Sequence, residues 1–136
     1  NIQSRKEAEK VLLDDGIIII FPSGQISTKV NLKKNTKAYD GEWKHFVSKL
    51  IIRTKSPVLP IFFEGSNSSL FHIANKVGLT FKYSLLMYEL KRKIGDTINL
   101  HVGSLITYKK MQEIGDLKKI KKYLRNKTYS LDPKKS

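Results

Sequence analysis

Gly16-Ile17-Ile18-Ile19-Ile20-Phe21-Pro22-Ser23-Gly24-Gln25-Ile26-Ser27-Thr28 carries four consecutive isoleucines that run into a Phe-Pro-Ser-Gly turn. An uninterrupted β-branched run suits a strand covered on both faces, as in a parallel or mixed sheet. Pro22 withdraws an N–H from any ladder and fixes the chain direction. Gly24 tolerates positive φ and lets a ligand approach the backbone closely. Gln25, Ser27 and Thr28 then place polar groups just past the strand end, where ligands sit in open α/β sheets.

The flanking pattern extends this reading. Ser4 to Asp15 is expected to be a helix, with Ser4 as cap, Glu7 three residues on, and Ala8, Val11 and Leu12 on one face; Gly16 ends it before the Ile strand. Lys29 to Asp40 is polar and lysine-rich and reads as a solvated loop beside the turn. Gly41 to Lys55 reads as a helix, with Phe46, Val47, Leu50 and Ile51 at helical spacing and Trp43 anchoring its start in the core. Val58 to Phe63 reads as a strand with Pro60 marking an edge, bulge or end, followed by a turn at Gly65-Ser66-Asn67. If the sheet is doubly wound, Ser23–Ser27 and Glu64–Asn67 open on one cleft.

Ser68 to Leu90 is dense in apolar and aromatic residues, broken near Gly78, and serves equally as core or as a lipid-facing surface with Lys76 and Lys82. Lys91 to Lys93 is a short basic cluster. Thr97 to Val102 alternates, which puts Ile98, Leu100 and Val102 on a buried face and Thr97, Asn99 and His101 on a polar one. A final helix spans Lys109 to Arg125, interrupted near Gly115-Asp116, with Met111, Ile114, Leu117, Ile120 and Leu124 in one apolar stripe. The expected architecture is α/β: a mixed, largely parallel sheet flanked by helices, with residues 1–131 forming a partial domain and 132–136 a tail.

The chain has 136 residues, enough for one compact core, and 26 basic against 12 acidic residues give a net charge of +14. So large a positive field favours anionic partners: nucleic acid, anionic lipid or an acidic carrier protein. The absence of cysteine excludes disulfides, thiol catalysis and zinc–cysteine sites. No apolar run is long enough to cross a bilayer as a helix, and no cluster has metal-ligand spacing.

Several segments carry a family resemblance. Phe21-Pro22-x-Gly24 followed by Ser27 resembles the Phe-Pro-Glu-Gly-Thr-Arg-Ser block of the lysophospholipid acyltransferase superfamily (1-acylglycerol-3-phosphate acyltransferase-like). It is similar in particular to the hemolysin-like bacterial branch, which reads Phe-Pro-Ala-Gly-Glu-Val-Ser and includes enzymes acylating lyso-ornithine lipids. Asp40, Trp43, Lys44 and Phe46 resemble the family's Asp-x-x-Trp-Lys-x-x-Phe. Ser56 to Gly65 resembles its Pro-bounded strand, and Asn67-Ser68 with Leu70-Phe71 its Arg-Asn-Ser-x-Leu-Phe. Glu89-Leu90 matches its Arg-Glu-Leu with Tyr88 in place of Arg. Gly95, Ile98 and Val102-Gly103, then Tyr123 to Leu131, complete the series.

The resemblance implies acyl transfer from an acyl thioester, on acyl carrier protein or coenzyme A, to a lyso-lipid hydroxyl, with no other cofactor. It implies a substrate-binding set of Phe21, Pro22, Ser23, Gly24, Gln25, Ser27, Lys44, Pro60, Glu64, Gly65 and Asn67. It also implies peripheral attachment to the anionic inner face of the cell membrane from the cytoplasm, in lipid metabolism. Ile26 stands where the arginine of the block would be, which removes a bidentate phosphate clamp.

The family's catalytic His and, a few residues later, Asp lie upstream of the Phe-Pro-x-Gly block, whereas His45, His72 and His101 all lie downstream and none is followed by an Asp after four or five intervening residues. The expectation is therefore that these residues form the C-terminal part of a longer enzyme, supply no catalytic or metal-binding residue, and are inactive alone. The alternatives are a basic nucleic-acid-binding module and a noncatalytic membrane-binding module. Nucleic acid is not the expected partner: the aromatics lie in apolar segments and are not interleaved with lysine, and no helix shows a base-reading set of Arg, Asn and Gln.

Overall fold

The computed structural model describes residues 2–24, 28–29, 38–64, 88, 91 and 94–135. The chain divides into two compact units, one of Asn1–Gly24, Glu42–Phe62 and Leu100–Ser136, the other of Gln25–Gly41 and Phe63–Asn99. Apart from Tyr88, the expected pieces within 68–90 lie outside the described residues, as do Arg92 and Lys93 of the basic cluster.

In the first unit, α1 spans Ile2–Leu13 and α2 spans Phe46–Thr54. α3 spans Tyr108–Ile114 and α4 spans Leu117–Tyr129. The stripe read from the sequence is the core: Met111 and Ile120 are fully buried, and Leu124 nearly so, against Trp43, Ile51 and Ile106. A break at Gly115-Asp116 separates α3 from α4, as expected. Gly115 carries a positive φ, and Asp116 caps α4 by accepting the Lys119 N–H at 2.8 Å on its Oδ1. Trp43 is buried as anticipated, but α2 begins at Phe46 and not at Gly41.

α1 starts at Ile2, so Ser4 lies inside its first turn and does not cap it. Its other end is a Schellman turn, in which the Gly16 N–H donates to the Val11 carbonyl at 2.8 Å. The left-handed residue is Asp15, at φ 58°, and not the glycine. Gly16 is needed for another reason: a Cβ there would lie 2.6 Å from the Val11 oxygen.

Beyond that turn the structure departs from the expected doubly covered strand. Ile17, Ile19 and Phe21 are 90%, 80% and 69% exposed, while Ile18 and Ile20 are half-buried. The alternation has the two-residue period of an extended chain resting one side on the body. The backbone of Ile17–Ile20 has no hydrogen-bond partner among the described residues. Burial of both faces needs strands or helices on either side, and none of the described elements takes that place.

Four strands are described: β1 (Thr28–Lys29), β2 (Ala38–Tyr39), β3 (Ile61–Phe63) and β4 (Leu100–Val102). β3 and β4 pair, and the ladder continues antiparallel through Gly103 N–H to the Pro60 carbonyl (2.9 Å) and a reciprocal Val58–Ile106 bridge. Pro60 thus splits the expected strand Val58–Phe63 because it has no N–H to offer. The faces of β4 are the reverse of those expected. Leu100 and Val102 are exposed, whereas His101 is half-buried with its ring centroid 6.4 Å from that of Phe62. Tyr129 of α4 meets Phe62 edge-on at 6.0 Å, so the aromatic side of the ladder is the covered side. In the second unit, β1 and β2 pair antiparallel, Thr28 opposite Tyr39, closing the ends of what the sequence presents as a loop. Each sheet among the described residues has two strands.

Two outcomes follow from the helix ends. Asp15→Gly relieves the left-handed strain and is expected to stabilise the fold by roughly 1 kcal/mol, whereas Gly16→Ala drives a Cβ into the Val11 carbonyl and destabilises it; denaturant midpoints of both variants check this. The Lys119 N–H holds the Asp116 carboxyl below the usual range. A depressed carboxylate stabilises the fold above its unfolded pKa, and that contribution is lost as pH falls through the folded value. Melting temperatures from pH 7 down to 2 should therefore fall more steeply below about pH 4 for the native chain than for Asp116→Asn, which keeps an oxygen acceptor that does not titrate.

Candidate functional site

The Phe21–Gly24 turn follows the exposed isoleucine run. It is closed by the Gly24 N–H donating to the Phe21 carbonyl at 3.0 Å, with Gly24 at φ +61°. The Lys44 N–H donates to the Pro22 carbonyl at 2.9 Å and so ties the turn to the residue after the buried Trp43. Two of the sequence motifs, Phe-Pro-x-Gly and Trp-Lys, are thereby held together by a main-chain bond. Ser23 is buried inside the unit, Pro22 is half-buried, and Phe21 and Gly24 are exposed. The exposed parts of the turn are thus Phe21 and Gly24, whereas Ser23 points inward.

The remaining site residues do not gather there. Pro60 is buried in the ladder and lines a separate hollow of about 340 Å³ with Gly103, Thr107, Lys110, Tyr123 and Lys127. Glu64 belongs to the second unit, where its N–H donates to the Asn99 carbonyl at 3.0 Å. Gln25, Ser27, Gly65 and Asn67 lie outside the described residues, as does the expected meeting of Ser23–Ser27 with Glu64–Asn67.

Lys44 leads to a feature not read from the sequence. It borders a groove of about 570 Å³ between α1 and α2, with Arg5 and Glu9 on one wall, Lys49 and Arg53 on the other, and His45 and Phe46 at the start of α2. Arg5–Glu9 and Lys49–Arg53 are each four residues apart, a spacing that puts each pair on one helix face, so the signal was present in the sequence. What the sequence did not supply was the packing of α1 on α2. Elsewhere the charges pair: Lys121 Nζ reaches Glu42 Oε1 at 2.7 Å, and Lys110 Nζ reaches Glu113 Oε2 at 2.8 Å. The hydrogen bond from Lys121 holds the Glu42 carboxyl low, and that to Glu113 holds Lys110 high.

Among the described residues no group of three His, Asp or Glu side chains is placed to hold a metal ion, and no helix is long and apolar enough to cross a membrane.

The chain is similar to a protein of Phocaeicola vulgatus named lyso-glycine lipid O-acyltransferase, at 32% identity over 110 residues, covering 76% of this chain. The match spans 38% of that relative's length. No family model and no solved structure matches the chain. The similarity supports a relationship to acyltransferases.

At Gly24 a Cβ would meet nothing within 4 Å, so any cost of substitution there comes from the backbone alone. Gly24→Ala is expected to destabilise by about 1 kcal/mol through the left-handed φ, and Gly24→Asn by less. Equal stability of Gly24→Ala and the native chain, measured by urea unfolding, would show that the turn relaxes out of this conformation.

Proposed function

We propose that the chain is part of an acyltransferase that moves an acyl group from a thioester to the hydroxyl of a lyso-lipid, and that its own contribution is acceptor binding at the Phe21–Gly24 turn. The observation that carries this reading is the match to a lipid O-acyltransferase by a chain whose Phe-Pro-x-Gly and Trp-Lys motifs are joined through Pro22 and Lys44. In the reaction a base takes the proton of the acceptor hydroxyl, the oxygen attacks the thioester carbonyl, and the C–S bond breaks. The thiolate leaves and is protonated, so atoms and charge balance. That base is the His of the His-Asp pair which the family resemblance puts outside these residues. His101 is engaged beside Phe62, and His45 borders the α1–α2 groove.

The acceptor is a lyso-lipid recognised without an arginine–phosphate clamp, since Ile26 stands at the arginine position. A lyso-glycine lipid fits that description. The donor is acyl carrier protein or coenzyme A. Attachment to the anionic inner face of the cell membrane is part of the same proposal, supported by the charge of +14 and by exposed Ile17, Ile19 and Phe21 next to the turn.

The test is an acyl-transfer assay with long-chain acyl thioesters and lyso-glycine lipid. The 136-residue chain alone is expected to give no acceptor-dependent product, and the same chain carried behind a His-Asp-bearing portion is expected to give it. Turnover by the chain alone would overturn the assignment of catalysis outside it. No transfer to any lyso-lipid by the longer polypeptide would overturn the acyltransferase reading.

A further inference from the structure

The groove between α1 and α2 holds more positive charge than its own packing accounts for. Four of its eight lining side chains, Arg5, Lys44, Lys49 and Arg53, are basic, against the single carboxylate of Glu9. That is an excess of three over eight residues, where the whole chain carries fourteen over 136. Glu9 answers only one of them, its Oε1 lying 3.1 Å from Arg53 Nε. Among the described residues, no ion pair engages the Arg53 guanidinium beyond Nε. Arg5 is held by the Phe46 ring, 5.5 Å below its guanidinium carbon, a contact that orients the group without neutralising it. Lys44 and Lys49 make no ion pair among the described residues. Lys49 and Arg53, one helical turn apart, repel one another, and such like-charge pairs cost a helix a few tenths of a kcal/mol.

The floor is apolar. Leu50 is buried beneath the cations, so their field lies over low-dielectric material and is focused into the groove. At about 570 Å³ the space is in the range that takes a small molecule. Guanidinium forks flanked by ammonium groups are the usual partners of phosphate oxygens.

We propose that this groove is a binding site for a phosphate ester, with Lys49 and Arg53 of α2 and Arg5 of α1 as its oxyanion partners and Lys44 linking it to the Phe21–Gly24 turn. The site does not depend on the acyltransferase reading. If that reading holds, the phosphate-bearing ligand is the thioester donor, since the acceptor side lacks its arginine.

Isothermal titration of the 136-residue chain with coenzyme A and with inorganic pyrophosphate, at low and high salt, tests the proposal. Both are expected to bind, with affinity falling as salt rises. Lys49→Glu and Lys44→Glu are each expected to weaken binding at least tenfold while leaving the melting temperature within a few degrees of the native chain. The same charge reversal at Lys118 and Lys122, on the exposed side of α4, is expected to leave it unchanged. No binding by the native chain, or an equal loss in the α4 variants, overturns the proposal. A third arm uses phosphatidylglycerol vesicles: binding to them that neither soluble phosphate displaces, with no heat from the soluble phosphates, would assign the groove to a membrane surface and overturn it. None of these readouts involves turnover, so failure here and failure of the acyl-transfer assay are separate events.

Discussion

The first unit rests on the burial of Met111 and Ile120. Neither retains any accessible surface, and each contributes on the order of 1.5–3 kcal/mol by leaving water. Their position depends on the break at Gly115-Asp116, which ends one helix and starts the next without losing the apolar stripe. Ile106, beside them in the cluster, is also the residue that bridges Val58, so the ladder is anchored in the same core. Trp43 joins the cluster from the other side, and the next residue, Lys44, holds the Pro22 turn through its N–H. The Phe21–Gly24 turn is thus bonded to the residue next to a core side chain.

What was legible in the sequence is what local chemistry dictates. The α3–α4 stripe, its interruption and the anchoring role of Trp43 follow from spacing and from residues with one dominant tendency. What failed depended on neighbours. β4 alternates in either reading, but which side is covered was settled by Phe62 and Tyr129, distant in sequence. Aromatic packing of His101 outweighed the simple rule that aliphatic residues face inward. α2 starts late because the polypeptide at Glu42–Lys44 is used to seat Trp43 and to bond Pro22, which a helix there could not do. Of the site, the Phe-Pro-x-Gly turn was legible, whereas the inward orientation of Ser23 was not. The α1–α2 groove needed two helices to meet before its charges became a feature.

Charge is unevenly managed across the molecule. Glu42 with Lys121, and Glu113 with Lys110, are exposed pairs of the kind that adds little stability. They show nonetheless that carboxylates are placed beside lysines along α3 and α4. At the turn-proximal end of α2, Lys44 makes no ion pair among the described residues, and the nearby Glu42 carboxylate is already bonded to Lys121. The contrast supports reading the excess positive charge as located, not merely as a property of composition.

The exposed isoleucine run has a further consequence for the molecule in solution. Among the described residues, Ile17–Ile20 presents unpaired main-chain donors and acceptors beside aliphatic side chains, which is the template on which edge-to-edge association begins. Opposing it is mutual repulsion between molecules that each carry +14. Repulsion of that kind acts over roughly 10 Å at 0.1 M salt and about 3 Å at 1 M. Ionic strength therefore sets the balance: repulsion opposes association in dilute electrolyte and is screened in concentrated salt.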